Sequence, residues 1–120
     1  MASKTIELRK DIMILLKSIC ESVAYRRAND KQKYPYIIFS IKDIGDTKEL
    51  EINIWDRSSD TTKIETIADN IEKLDKEIVS NENHCLSLWK NNDRQWIDDE
   101  DKDILRINMT FELRYFEKEW

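Results

Sequence analysis

Glycine and proline are almost absent from this sequence, with one residue of each among 120. Flexible linkers, collagen-like repeats and glycine-rich phosphate loops all need more, so neither a Walker motif nor a dinucleotide-binding motif can occur. Histidine is also present once, as His84, and a Ser-His-Asp triad could be built only through it. No apolar run approaches the roughly 20 residues that cross a membrane, which excludes a transmembrane protein.

Two cysteines and a surplus of acidic side chains further restrict the class of protein. Cys20 and Cys85 lack the CxxC spacing of a metal or redox site, and we interpret both as free, buried thiols. Acidic residues number 25 and basic residues 20, for a net charge of −5, whereas a broad contact with duplex phosphates needs clustered Lys and Arg. We therefore expect no cofactor, no metal and no sequence-specific nucleic-acid binding. The N-terminal region lacks the pattern of a cleavable signal, so we expect a cytosolic protein that does not associate with membranes.

Two segments carry apolar residues at helical spacing. The first predicts a helix from Thr5 to about Val23, and the second predicts a helix from Thr62 to Val79. Thr62 and Glu65 fit a capping box at the start of the second helix. Between the first helix and the next apolar run, a polar stretch from Tyr25 to Lys33 predicts a loop.

Four segments alternate apolar and polar residues with the period of a strand. The first two carry Ile37, Phe39 and Ile41, and then Leu50, Ile52 and Ile54; the others are His84–Lys90 and Leu105–Tyr115. If Gly45-Asp46 is a two-residue turn, the numbers of opposed residues sum to 91. This register places the apolar residues of the first two strands on one face and brings Tyr36 opposite Trp55.

The order α-β-β-α-β-β predicts a single α+β domain over residues 1–120. We expect a two-layer sandwich in which two amphipathic helices cover the apolar face of a mainly antiparallel, four-stranded sheet.

The connection Asn91–Asp103 is long for a hairpin, and loops of this length are often functional. Its acidic residues offer oxygen ligands, but an EF-hand needs a central Gly and a final Glu that are missing, so we interpret a solvated acidic loop. We expect it to contact a partner through Asp98, Asp99, Glu100 and Asp101.

Other candidate contacts are aromatic or basic. The basic stretch Arg26–Lys33 contains Arg26 and Arg27, and the predicted turn Asp56–Asp60 begins with Asp56 and Arg57. Trp55 and Trp89 fall on the polar strand face and Trp96 falls in the acidic loop, where indoles are typical anchors of protein contacts. The alternative is that Trp55 and Trp89 pack together on that face and Trp96 folds over them; Trp120 follows the last strand.

Several segments together resemble a known family, over nearly the whole chain. They are Tyr34–Phe39, Glu51–Ser58, Ile64–Leu74 and Phe111–Phe116. The sequence is similar to the small tail-completion, or tail-terminator, proteins that join heads and tails in long-tailed bacteriophages and prophages. The resemblance implies a non-enzymatic subunit that caps the tail tube as a ring, typically a hexamer. Such a ring ends tube polymerisation and offers a docking surface to the head-tail connector. It would assemble in the host bacterial cytoplasm and remain in the virion tail or neck.

Three alternatives stay open at the level of sequence. A head-side connector or stopper of the neck resembles the terminator at this level. A small enzyme would use His84 with carboxylates of the acidic loop. A small acidic protein-interaction module would act outside the virion.

Overall fold

The computed structural model describes residues 4–28, 32–45, 47–80 and 84–117. This part of the chain contains two helices and seven strands, in agreement with the predicted α+β class. In chain order they are α1 (Lys4–Lys17), β1 (Val23–Tyr25), β2 (Tyr36–Ile44), β3 (Thr47–Arg57), α2 (Thr62–Glu72), β4 (Ile78–Ser80), β5 (His84–Lys90), β6 (Gln95–Trp96) and β7 (Ile104–Glu117).

Strands β2 and β3 form the predicted hairpin in the predicted register. Every pair from Tyr36 opposite Trp55 to Ile44 opposite Thr47 follows the sum of 91. Gly45 has a φ of 57°, which a glycine adopts without steric cost. Asp46, the second residue of the predicted turn, lies outside the described residues.

The sheet is larger than the four strands that the sequence predicts. Its order is β1-β2-β3-β7-β5-β4, and β6 adds to the edge of β7. All pairs are antiparallel except β1 with β2, which run parallel. The prediction of a four-stranded sheet is therefore wrong, because β1, β4 and β6 have two or three residues each and such segments are too short to show a period of two.

Strand β7, with 14 residues, organises the sheet because both of its edges are paired over most of their length. One edge pairs with β3, and the other pairs first with β6 and then with β5. Within the predicted loop Asn91–Asp103, Asn91 donates its N–H to Thr110, at 3.0 Å, and Ile97 donates to Arg106, at 2.9 Å. Much of this loop is thus a continuation of the edge, since β7 offers backbone groups that need partners.

The first helix ends earlier than predicted. α1 stops at Lys17, and the chain turns at Ser18 and Ile19 before β1 begins at Val23. Val23 and Ala24 are buried, and their backbone groups pair with β2. The predicted helix to Val23 and the predicted loop from Tyr25 are corrected accordingly, because pairing with β2 outweighs the helical spacing of Val23.

The second helix begins without the predicted capping box. The N-cap residue Thr61 makes no side-chain cap bond to the backbone, and its hydroxyl donates to the Glu65 carboxylate at 2.8 Å. The Asp60 carboxylate instead accepts the Thr62 N–H at 2.9 Å and the Thr62 hydroxyl at 2.7 Å. These two bonds lower the pKa of Asp60, and an acidic group at this end also suits the helix dipole.

The second helix also ends earlier than Val79. It stops at Glu72, and Lys76 adopts a positive φ of 68°. The Lys76 N–H then donates to Leu88, at 2.7 Å, and Leu88 donates back to Glu77, at 3.1 Å. The segment that follows Glu72, which the apolar spacing assigns to the helix, therefore pairs with β5 instead.

One hydrophobic cluster joins both helices to one face of the sheet. We call this the helix face, and we call the opposite one the open face. No helix in the described ranges is long and apolar enough to cross a membrane. The fully buried core residues of the largest volume are Leu8, Ile12, Leu16, Ile37, Phe39, Leu50, Ile52, Ile54, Ile64, Ile71, Leu86 and Phe111.

The open sheet face as a candidate interface

Polar and aromatic side chains fill the open face where β3 meets β7. The register of this pair sets Trp55 opposite Arg106 and Asn53 opposite Asn108. Opposed residues of an antiparallel pair lie on the same face, so these four side chains are neighbours. The alternation of β7 predicts a polar face, but its partner strand is a property of the tertiary structure.

Asn53 is the buried centre of this group, with 8% of its surface exposed. Its Oδ1 atom accepts hydrogen bonds from Arg106 Nε (3.1 Å), Arg106 Nη2 (2.9 Å) and Asn108 Nδ2 (3.0 Å). Its Nδ2 atom donates to Glu51 Oε1 at 3.2 Å. Arg106 is therefore held in one orientation by a buried, satisfied acceptor.

Aromatic rings continue the surface beside Arg106. The Arg106 Cζ atom lies 4.6 Å from the centroid of the Trp55 ring. Tyr36 stacks on Trp55 with centroids 6.4 Å apart, and Tyr34 lies 5.1 Å from Tyr36. Burial raises the pKa of the Tyr36 hydroxyl, with a further contribution from Tyr34.

A groove of about 340 Å³ opens between these rings and the segment that follows β1. Tyr36, Trp55 and Arg106 line it together with Arg26, Arg27 and one carboxylate, that of Glu51. Arg26 has a positive φ of 73° and donates its N–H to Phe39 at 2.8 Å, which turns the chain at the end of β1. We call this site the arginine groove. Three of the residues proposed from sequence, Arg26, Arg27 and Trp55, thus belong to one site.

Trp89 lies on the same face but in a separate place. Its Nε1 atom donates to Ser87 Oγ at 2.9 Å, and Arg114 Cζ lies 4.6 Å from its ring centroid. The β7 partners of Trp55 and Trp89 are six residues apart, or about 20 Å along the strand. The alternative in which these two indoles pack together is therefore wrong.

Trp96 lies at the edge of the sheet and does not fold over the open face. It pairs in β6 with Ile107, a buried residue of the helix face, so its side chain is directed to that side. Its exposed fraction is 45%. The side chain of the fourth tryptophan, Trp120, lies outside the described residues.

The acidic segment Asp98–Asp103 is tied to the end of β3. Arg57 Nη2 lies 3.1 Å from Asp101 Oδ2, and Ser58 donates its N–H to the Asp103 carbonyl at 2.9 Å. Asp98, Asp99 and Glu100 are exposed. Among the described residues, no group of three or more His, Cys, Asp or Glu side chains could hold a metal ion. The described part also omits the side chain of His84, so the enzyme hypothesis that uses it is not tested.

Sequence reasoning missed a clamp that joins the start of this connection to α2. Arg94 Nε lies 2.9 Å from Glu72 Oε1, and Arg94 Nη2 lies 2.6 Å from Asp69 Oδ1. The bond to Glu72 raises the pKa of Arg94, and the bond from Arg94 lowers the pKa of Glu72. Three residues after Glu72, Asp75 Oδ1 accepts the Lys90 N–H at 2.8 Å. The only sequence signal for this clamp is the spacing of Asp69 and Glu72 on one helix face.

Asp56 is buried, whereas the sequence predicts that it begins a turn. Strand β3 runs through Asp56 to Arg57, so the turn begins at Ser58 and the predicted turn from Asp56 is corrected. Asp56 is 3% exposed, and its Oδ1 atom accepts the Arg57 N–H at 2.8 Å. Its Oδ2 atom has no hydrogen-bond partner. The residue lines a cleft of about 210 Å³ next to Lys63.

The comparisons with known proteins bear on the fold. No protein-family model matches the chain, and no curated protein matches it. Among solved structures, the fold is similar to that of a chain in the "Virion of native gene transfer agent (GTA) particle", with a TM-score of 0.59 and 16% sequence identity. The similarity covers 87% of this chain and 85% of that chain. The protein thus shares its fold with a component of a virion particle.

Proposed function

We propose that this protein is a non-enzymatic structural subunit of a phage or prophage virion, of the tail-completion type. In this role it caps the tail tube as a hexameric ring, ends tube polymerisation and provides the surface on which the head-tail connector docks. It assembles in the host bacterial cytoplasm and stays in the tail or neck. The observation that carries the proposal is the fold shared with a gene transfer agent virion chain over 87% of the sequence.

The surface of the molecule supports an assembly role. Protein contacts favour aromatic and arginine side chains at their centres, and the open face presents Trp55 and Trp89, each beneath an arginine. Asn53 orients Arg106 before any partner arrives, which lowers the entropy that binding would cost. The net charge of −5 is compatible with a channel that passes DNA, since like charge repels phosphate.

The test is binding to isolated tail tubes, combined with light scattering and negative-stain imaging of the protein alone. We expect closed rings of six subunits, binding at the tube end, and tubes that stop growing when the protein is added to polymerising tube subunits. Binding to head-side connector complexes but not to tubes would assign the protein to the stopper instead. Binding to neither would contradict a role in the virion and favour an interaction module outside it.

A further inference from the structure

The two charged surfaces proposed from sequence lie at opposite edges of the sheet. At the end of the sheet that carries Trp55 and Arg106, the strand order is β1-β2-β3-β7-β6, because β5 pairs with β7 only from Phe111 onward. The two arginines that follow β1 stand at one edge, and β6 stands at the other. The acidic segment starts at the β6 edge and reaches the end of β3 only at Asp101 and Asp103. Four strand spacings separate β1 from β6, or roughly 19 Å.

The two edges also present opposite faces. The arginine groove opens on the open face, where Tyr36 and Trp55 form its floor. Trp96 belongs to the helix face, because it pairs with the buried residue Ile107. If a second copy is shifted across the strands by about the width of one molecule, its β6 edge can therefore cover the groove of the first copy.

The side chains at the two edges carry opposite charges, and most of those named next form no ion pair within the described residues. Arg26 and Arg27 are exposed, and neither forms an ion pair with a residue in the described ranges. Asp98 and Glu100 are likewise exposed and without an ion pair there, whereas Asp101 is occupied by Arg57. Two cations beside an aromatic floor match an exposed indole followed by carboxylates.

We propose that the arginine groove of one copy receives Trp96 and the carboxylates of Asp98 and Glu100 from the next copy. This inference rests on the proposed function, for which it names the contact between subunits. Because the two surfaces lie at opposite edges and face opposite ways, each copy makes both contacts. The contact is therefore head-to-tail: it builds a ring where the rotation between copies closes, and it does not close a dimer.

A charge swap tests this contact. One variant carries Arg26→Glu and Arg27→Glu, and the other carries Asp98→Lys and Glu100→Lys. Each variant alone opposes like charges, so we expect its dissociation constant for self-association to rise at least tenfold, measured by light scattering over a range of concentrations. An equimolar mixture restores attraction at both kinds of contact and is expected to form assemblies larger than a dimer. Far-UV circular dichroism verifies that each variant is folded.

The matched control is Lys10→Glu with Lys17→Glu, two exposed lysines of α1 outside both surfaces, which changes the net charge by the same amount as the arginine variant. It is expected to associate as the wild type does. Unchanged association of both swap variants, a mixture that stays dissociated, a mixture that stops at dimers, or a wild type that never self-associates would each overturn the inference.

The two proposals fail separately. If wild-type rings cap tail tubes and the swap variants still form them, the contact is wrong and the function stands. If the swap behaves as expected but the rings ignore tail tubes, the contact stands and the function is wrong.

Discussion

Arg106 lies over the indole of Trp55, with Cζ 4.6 Å from the ring centroid, and the same guanidinium donates two hydrogen bonds to Asn53. The pair couples adjacent strands β3 and β7, and it forms part of the arginine groove. Stability and the proposed contact between subunits therefore involve the same side chain, and the two contributions can be measured apart.

Replacement of Arg106 by Met removes the guanidinium and keeps much of the aliphatic stem. We expect the free energy of unfolding to fall by about 2 kcal/mol, because the buried Asn53 oxygen loses two of its three donors and Trp55 loses its cation. Urea denaturation monitored by circular dichroism gives the value. The control is Arg114→Met, where a more exposed guanidinium lies over Trp89, and its loss is expected to be below about 1 kcal/mol. Equal losses would show that Asn53 contributes nothing.

Glu72 makes stability depend on pH. The bond from Arg94 holds the pKa of Glu72 below its usual value of 4.5 in the folded protein. Its contribution is therefore complete above pH 4.5 and is lost as the pH falls through the folded pKa. At pH 7 we expect Glu72→Gln to unfold at lower urea than the wild type, and we expect the difference to shrink below pH 4.5. A difference independent of pH would contradict the clamp, and the exposed Glu77→Gln serves as the control.

Asp56 leaves one carboxylate oxygen buried without a partner. Replacement by Asn keeps the acceptor for the Arg57 N–H and removes a buried negative charge, so we expect stability to rise by about 1 kcal/mol. Asp60→Asn is the contrasting variant, because Asp60 accepts two hydrogen bonds at the start of α2, and its urea midpoint is expected to fall. A large loss in Asp56→Asn would show that Oδ2 has a partner in solution, such as Lys63 across the cleft.

Gly45 is the one glycine of the chain, and its φ is 57°. No atom beyond its two chain neighbours lies within 4 Å of the place where a Cβ would stand, so Gly45→Ala is expected to cost about 1 kcal/mol through backbone conformation alone. Gly45→Asn is expected to cost less, because Asn tolerates the left-handed region. Thermal unfolding of both variants checks this order, and the reverse order would contradict it.

The β2–β3 hairpin could be predicted in full register, whereas the sheet around it could not. Two long alternating runs and one glycine leave a single pairing that buries Ile37, Phe39, Ile52 and Ile54 together. Strands β1, β4 and β6 exist because the edges of β2, β5 and β7 offer unpaired backbone groups. The pairing of these short strands depends on longer strands that are distant in the chain. Val23 and Ile78 show the consequence, since both fit a helical stripe and both lie in strands.

The candidate site, too, could be predicted only in part from the sequence. Arg26, Arg27 and Trp55 could be selected one by one as residue types that favour protein contacts. Asn53 carries no signal in the sequence, because an isolated Asn in a strand is ordinary until three donors converge on it. The same holds for Arg94, whose partners Glu72 and Asp69 lie more than twenty positions away.

By itself the sequence determined the features that depend on composition and on residues close together in the chain. These are an α+β class, an acidic chain without phosphate loops, a hairpin in one register and a final strand with one apolar face. Only the tertiary structure decided that this strand lies inside a seven-stranded sheet and that the acidic connection is its edge. It also decided that the arginines and Trp96 stand at opposite edges. These outcomes depend on which backbone edges remain unpaired after the long strands have joined, and that is a property of the assembled sheet.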